Sequence, residues 1–287
     1  MRKAVLTVAS VILGAGLVYW LYDPGPDQPD PRQAGLDRAR AYAEAQVQIE
    51  RVRKRRDAPV DWAAVREQLG ITLAVVREID EAANLDYAKG LVAALDKCAA
   101  GQSPGANQQL IAKGLQHVTV LAIRRELALL AQAEGPHREA AAQRVAAFFE
   151  GIRPTFVRRD KDFFPGRGVL TPEADAALRD LAAAARRKGQ TVGAGRQLED
   201  LICRTYALSV LYEVQQIARL RHSDRAACAV KRVEGQVFYR IIRDRIARRD
   251  PRADETIRTT LEADYDTMDP AALEAALRRG LGPVPLE

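Results

Sequence analysis

Phe238-Tyr239-Arg240-Ile241-Ile242-Arg243-Asp244-Arg245-Ile246-Ala247-Arg248-Arg249-Asp250 has an edited copy upstream, running from Phe148 to Asp160. The copies share Phe148/Phe238, Ile152/Ile242, Arg153/Arg243, Arg158/Arg248, Arg159/Arg249 and Asp160/Asp250, and they pair Phe149 with Tyr239 and Phe156 with Ile246. Further back, Gly105-Ala106-Asn107-Gln108-Gln109-Leu110 answers Gly193-Ala194-Gly195-Arg196-Gln197-Leu198 at nearly the same offset. The likeness therefore spans a helical hairpin, and the chain reads as internally duplicated. In the second copy Phe238, Ile242 and Ile246 recur every four residues and make one apolar helical face. The first copy has Gly151 and Pro154 where the second has Ile241 and Asp244, which predicts a break or kink near Arg153.

The 287 residues are 47% hydrophobic and 29% charged, ordinary values for a folded chain with a substantial core. Aromatic residues are few, Ala and Leu are abundant and β-branched runs are short, which favours helix over sheet. The expected fold class is all-α: repeated hairpins forming a bundle or short α-solenoid, preceded by one transmembrane helix. The net charge of +6 is spread along every helix and focuses no field, so a nucleic-acid partner is not indicated.

Residues 4–22 contain no charge and are long enough to cross a bilayer as a helix. Arg2 and Lys3 precede the run and Asp23, Asp27 and Asp30 follow it, which places residues 1–3 in the cytoplasm and the rest in the periplasm of a bacterial inner membrane. A cleaved secretory signal is the competing reading. It fits less well, because Tyr19, Trp20 and Tyr22 suit an interfacial anchor and make a poor cleavage site.

Residues 23–33 form a stiff, proline-rich spacer. Residues 34–100 hold N-terminal helices: a charged one over Leu36 to Arg56, a short one capped by Asp61 and stopped at Gly70, and two more over Ile71 to Ala82 and Leu85 to Ala99. The first unit, 101–190, has helices from Gln108 to Gln132 and from Glu139 towards Arg153. A short helix capped by Thr171 and Pro172 follows. The second unit, 191–287, repeats this order with Gln197 to Leu220, Ala226 to Arg249 and a short helix opened by Asp269-Pro270. A further segment, Asp254 to Tyr265, also reads as helical.

Chemistry-bearing patterns are scarce. The sequence has three histidines and three cysteines, without the spacings of zinc proteases or covalently held haem. It has no phosphate loop, dinucleotide fingerprint or nucleophile elbow either, so no cofactor is expected. Cys203 and Cys228 lie too far apart on an antiparallel hairpin to bridge; Cys98 with Cys203 stays open, and buried free thiols are the simpler reading. Arg77-Glu78-Ile79-Asp80-Glu81 carries an Arg-Glu-x-x-Glu spacing that resembles the iron-binding motif of the iron permease family. The likeness covers five residues, and in that family the motif lies within membrane helices, which this charged segment is not. Glu78 and Glu81 would share a helix face and could offer oxygens to a hard cation, the basis of an alternative reading as a metal- or anion-binding accessory of a transport system.

The loop Lys161-Asp162-Phe163-Phe164-Pro165-Gly166-Arg167-Gly168-Val169-Leu170 has no clear counterpart in the second copy. Two aromatics beside an arginine are typical of interface anchors; the alternative is that both rings fold back over the bundle end. Phe163, Phe164 and Arg167, supported by Arg158, Arg159, Arg248 and Arg249, are the candidate contacts for an envelope protein partner. The expected role is a membrane-anchored binding or scaffold module rather than an enzyme.

Overall fold

Aspartates open many of the helices because their carboxylates accept the backbone N–H groups that a first turn leaves unpaired. Asp30 accepts from Arg32, Asp61 from Ala64, Asp224 from Ala227, and Asp269 from Ala271 and Ala272. The computed structural model describes residues 30–54, 59–187 and 190–286. It contains ten α-helices packed in a bundle, and no strand among the described residues. They are α1 (Pro31–Arg53), α2 (Trp62–Ala83), α3 (Tyr87–Ala99), α4 (Pro104–Gln132), α5 (Pro136–Phe163), α6 (Leu170–Arg186), α7 (Thr191–Leu220), α8 (Arg225–Arg249), α9 (Pro251–Glu262) and α10 (Pro270–Leu281). A 3-10 turn, Tyr265–Thr267, separates the last two.

The two aligned stretches lie on α5 and α8, each the second helix of a hairpin, α4–α5 and α7–α8. Helix α4 joins the hairpins by packing against α8 as well as α5, and α1 lies along α5 and α2. No described helix is long and apolar enough to cross a membrane; residues 4–22, and the spacer before Asp30, lie outside the described residues.

Three expectations about helix ends need correction. Helix α1 starts at Pro31, inside the anticipated spacer, because Asp30 caps it and Pro31 fits its first turn. Gly70 does not stop α2. Glycine inside a helix costs only about 1 kcal/mol, whereas Leu69, Thr72, Val75 and Val76 on either side of it are all buried. Pro154 does not break α5. Proline inside a helix costs about 3 kcal/mol or more, but Phe149, Ile152 and Phe156 are fully buried around it, and each such side chain contributes about 1.5–3 kcal/mol.

Pro154 offers no N–H to the Glu150 carbonyl, and at the next residue a side chain from α1 adds a bond to the helix. Gln46 Nε2 donates to the carbonyl of Gly151 at 2.9 Å. Gly151 makes this approach feasible, since a Cβ there would lie 2.7 Å from Gln46 Oε1. Thr119 Oγ1 donates to the same Oε1 at 2.6 Å, and the Tyr42 hydroxyl donates to the Leu115 carbonyl at 2.9 Å. These buried groups are linked across α1, α4 and α5, so the polar core fixes which faces of the helices meet.

Candidate functional site

The residue that both copies keep at the end of the aligned stretch does the same work in each. Asp250 accepts the N–H groups of Arg252 and Ala253 and starts α9 directly. Asp160 caps a helix as well, at a distance. Its Oδ1 accepts from Val169 and Leu170 at 2.7 Å each, and its Oδ2 accepts from Thr171 at 2.9 Å. The cap of α6 is thus Asp160, not Thr171. Burial raises the Asp160 carboxyl's pKa, but the hydrogen bonds from the α6 start outweigh it and hold the group below the ordinary carboxylate range.

Between Asp160 and the helix it caps, the chain inserts the last turn of α5 and a loop. Gly166 and Gly168 take positive φ values of 75° and 60°, which L-residues with a Cβ adopt only with strain. The loop, the end of α5 and the first half of α6 surround an open groove of about 620 Å³. Phe164 and Val157 give it an apolar floor and wall, with Lys161, Arg167 and Arg179 around them.

The structure separates the predicted contact residues. Phe164 is buried, with the Arg204 guanidinium 5.2 Å from its ring centroid; Phe163 is half-buried and meets Tyr212 edge-on. Arg159 is buried over the Tyr212 ring at 4.1 Å and pairs with Asp162 at 2.8 Å. Arg167 from the loop and Lys161 from the last turn of α5 are thus groove residues here that face solvent, while Phe164 contributes only a small surface to the groove lining. Arg158 is half-buried, whereas Arg248 and Arg249 are exposed at the end of α8, Arg249 lying over Gly282. The two arginine pairs are not brought together. Arg159 packs at Tyr212 and Arg245 pairs with Asp200 at 2.6 Å; these α7 positions are about 18 Å apart along the helix.

Glu78 sits between two arginines, Arg38 and Arg125, the latter at 3.2 Å. Glu81 is exposed, and among the described residues no group of three His, Cys, Asp or Glu side chains is arranged to hold a metal ion. Cys98, Cys203 and Cys228 are buried free thiols. His117 is buried against the Tyr87 hydroxyl, and burial together with Arg124 and Arg240 pulls its pKa down to about 3, so the ring is neutral.

Sequence reasoning missed a buried charge cluster joining α1, α4, α7 and α8. Lys113 approaches Glu50 at 3.8 Å and lies 5.0 Å from the Phe238 ring centroid, while Lys231 pairs with Glu213 at 3.0 Å and with Glu234 at 3.3 Å. Burial pulls Lys113 down to about 8 against the pull of Glu50 and Glu234. Burial and the neighbouring Glu234 push Glu213 up to about 7. The only signal in the sequence is a single charge inside an apolar run, as in Leu110-Ile111-Ala112-Lys113-Gly114-Leu115. None of these residues lines the groove. Comparison with protein-family models, with curated proteins and with solved structures gives no match.

Proposed function

We propose that the chain is an internally repeated helical binding module, anchored in a bacterial inner membrane through residues 4–22, that docks an envelope partner in the periplasm at the groove between α5 and α6. One observation carries this reading. The shared aspartate caps the next helix in both halves, but only the first half places a loop between cap and helix. The second half shows that such a cap needs no intervening loop, so the loop is additional to what that junction requires. What it adds is the groove, bounded by Arg167 and floored by Phe164. A concave patch with an arginine and an aromatic ring is a suitable contact surface.

The full-length chain in its native membrane tests this. A photo-crosslinking residue in place of Val157, inside the groove, captures one specific protein, and the same residue in place of the exposed Glu255 on α9 does not. Equal capture at both positions, or none at Val157, would refute the docking surface. An alkaline phosphatase fused after the last residue is active in cells if the location is correct, and an inactive but intact fusion refutes it.

A further inference from the structure

We infer, resting on that docking reading, that the groove takes a carboxylate-rich peptide segment of a separate protein, with an apolar side chain seated on Phe164. The first argument is a local imbalance of charge. Three carboxylates around the groove have partners: Asp160 accepts three backbone N–H groups, Asp175 shares Arg153 with Glu150, at 2.7 and 2.8 Å, and Glu173 pairs with Arg204 at 3.3 Å. Lys161, Arg167 and Arg179 are exposed, and none of them forms an ion pair among the described residues, although Arg153, Arg159 and Arg204 nearby all do. The groove lining thus carries three exposed cations, Lys161, Arg167 and Arg179, against two carboxylates, Asp160 and Asp175, a net positive lining that an acidic ligand complements.

The second argument is the floor. Phe164 is nearly covered by the fold, yet its remaining surface lines the groove beside Val157, which is 38% exposed, and the exposed Pro172. A simple anion would leave this apolar surface in water. A peptide can pair carboxylates with the rim and bury an aliphatic or aromatic side chain at the centre.

Reach argues against the chain's own acidic spacer. The start of α1 lies against α5 near its start, where Asp30 is close to His137 and Gly35 faces Arg144. The groove is near the opposite end of α5, from Val157 onward, on the order of 30 Å away at ~1.5 Å per helical residue. Fully extended at ~3.5 Å per residue, Asp27 reaches about 10 Å from Asp30 and Asp23 about 25 Å. The same separation sets the groove apart from the end through which the chain joins its anchor.

The test uses the full-length protein crosslinked in its membrane through p-benzoylphenylalanine in place of Val157, with the captured peptide mapped by mass spectrometry. The expected adduct is a segment of another protein rich in Asp and Glu. Charge reversal by Arg167→Glu with Arg179→Glu should cut capture roughly tenfold or more, with helical content by circular dichroism unchanged. A synthetic peptide of the mapped segment should bind purified full-length protein with an affinity that falls as salt rises. Its version with Gln for every Glu and Asn for every Asp should not bind. An adduct to a neutral or basic segment, to a second copy of this chain or to lipid overturns the acidic-peptide inference, and a mapped neutral partner segment leaves the docking reading standing. No adduct at all overturns both. Equal binding of the two synthetic peptides also overturns the inference.

Discussion

Replacing Asp160 by Ala should destabilise the chain more than replacing Asp250 by Ala, although the two occupy equivalent places in the aligned stretches. Asp160 is 7% exposed and satisfies three backbone donors, including that of the fully buried Leu170. Its loss removes a helix cap, worth about 1 kcal/mol, and strands a buried N–H, worth a further ~1–3 kcal/mol. We therefore expect about 3 kcal/mol. Asp250 serves two donors at 3.0 and 3.1 Å, and one of them belongs to the exposed Arg252, where water can take over. There the expected loss is about 1 kcal/mol. Denaturant titration of the full-length variants, followed by helical circular dichroism at pH 7, measures the difference directly. If the two variants agree to within about 0.5 kcal/mol, capping at a distance by Asp160 does not have the structural weight assigned to it. The pH dependence supplies a second check. The folded pKa of Asp160 lies below its ordinary value, so its contribution is complete above the unfolded carboxyl's pKa of about 3.9 and is lost as pH falls through the lower folded value. Asp160→Asn should remove that acid-side loss while keeping the two hydrogen bonds to Oδ1.

Gly151→Ala should cost about 1–3 kcal/mol by overpacking, because the new methyl would lie 2.7 Å from Gln46 Oε1; combined with Gln46→Ala the losses should be less than additive, as a double-mutant cycle in denaturant would show. Glu213 titrates near 7 in the folded chain, above its unfolded value, so its contribution is complete below about pH 4.3 and is lost as pH rises through 7. Glu213→Gln should therefore gain stability relative to the parent between pH 5 and pH 8, and parallel stability curves for the two proteins would contradict this. The three cysteines should resist alkylation in the native chain and react together on unfolding without a reductant, measured by intact mass. Arg167→Glu, on an exposed loop, should leave the denaturation midpoint unchanged, since exposed substitutions of this kind move stability by no more than about 0.5 kcal/mol.

Local chemistry was legible in the sequence where cap and helix are neighbours. Asp61 and Asp269 each bond an N–H two or three residues on, and the apolar spacing of Phe238, Ile242 and Ile246 marks the buried face of α8. These features depend on contacts within one or two turns, and they were enough to establish an all-α chain. The paired loss at Gly151 and Pro154 was visible too, and it was read as a break or kink; the helix continues through it. Whether a proline ends a helix depends on what is packed around it, and here Gln46 from α1 bonds the Gly151 carbonyl while Phe149, Ile152 and Phe156 hold both sides. Asp160 was recognised as a repeated residue, yet its role as the cap of α6 required the loop to fold back. Phe163 and Phe164 left two readings open, a contact surface or rings folded back over the bundle end, because composition shows that a segment is irregular but not which way its rings turn. The charge cluster was least legible of all, since Lys113 lies in an apolar run and its counterions, Glu50 and Glu234, are on other helices. Sequence determined the helices and their likeness because those rest on short-range hydrogen bonds and periodic burial. Only the tertiary structure decided the long-range cap, the buried charges and the groove, because each is made by residues that become neighbours after the helices pack.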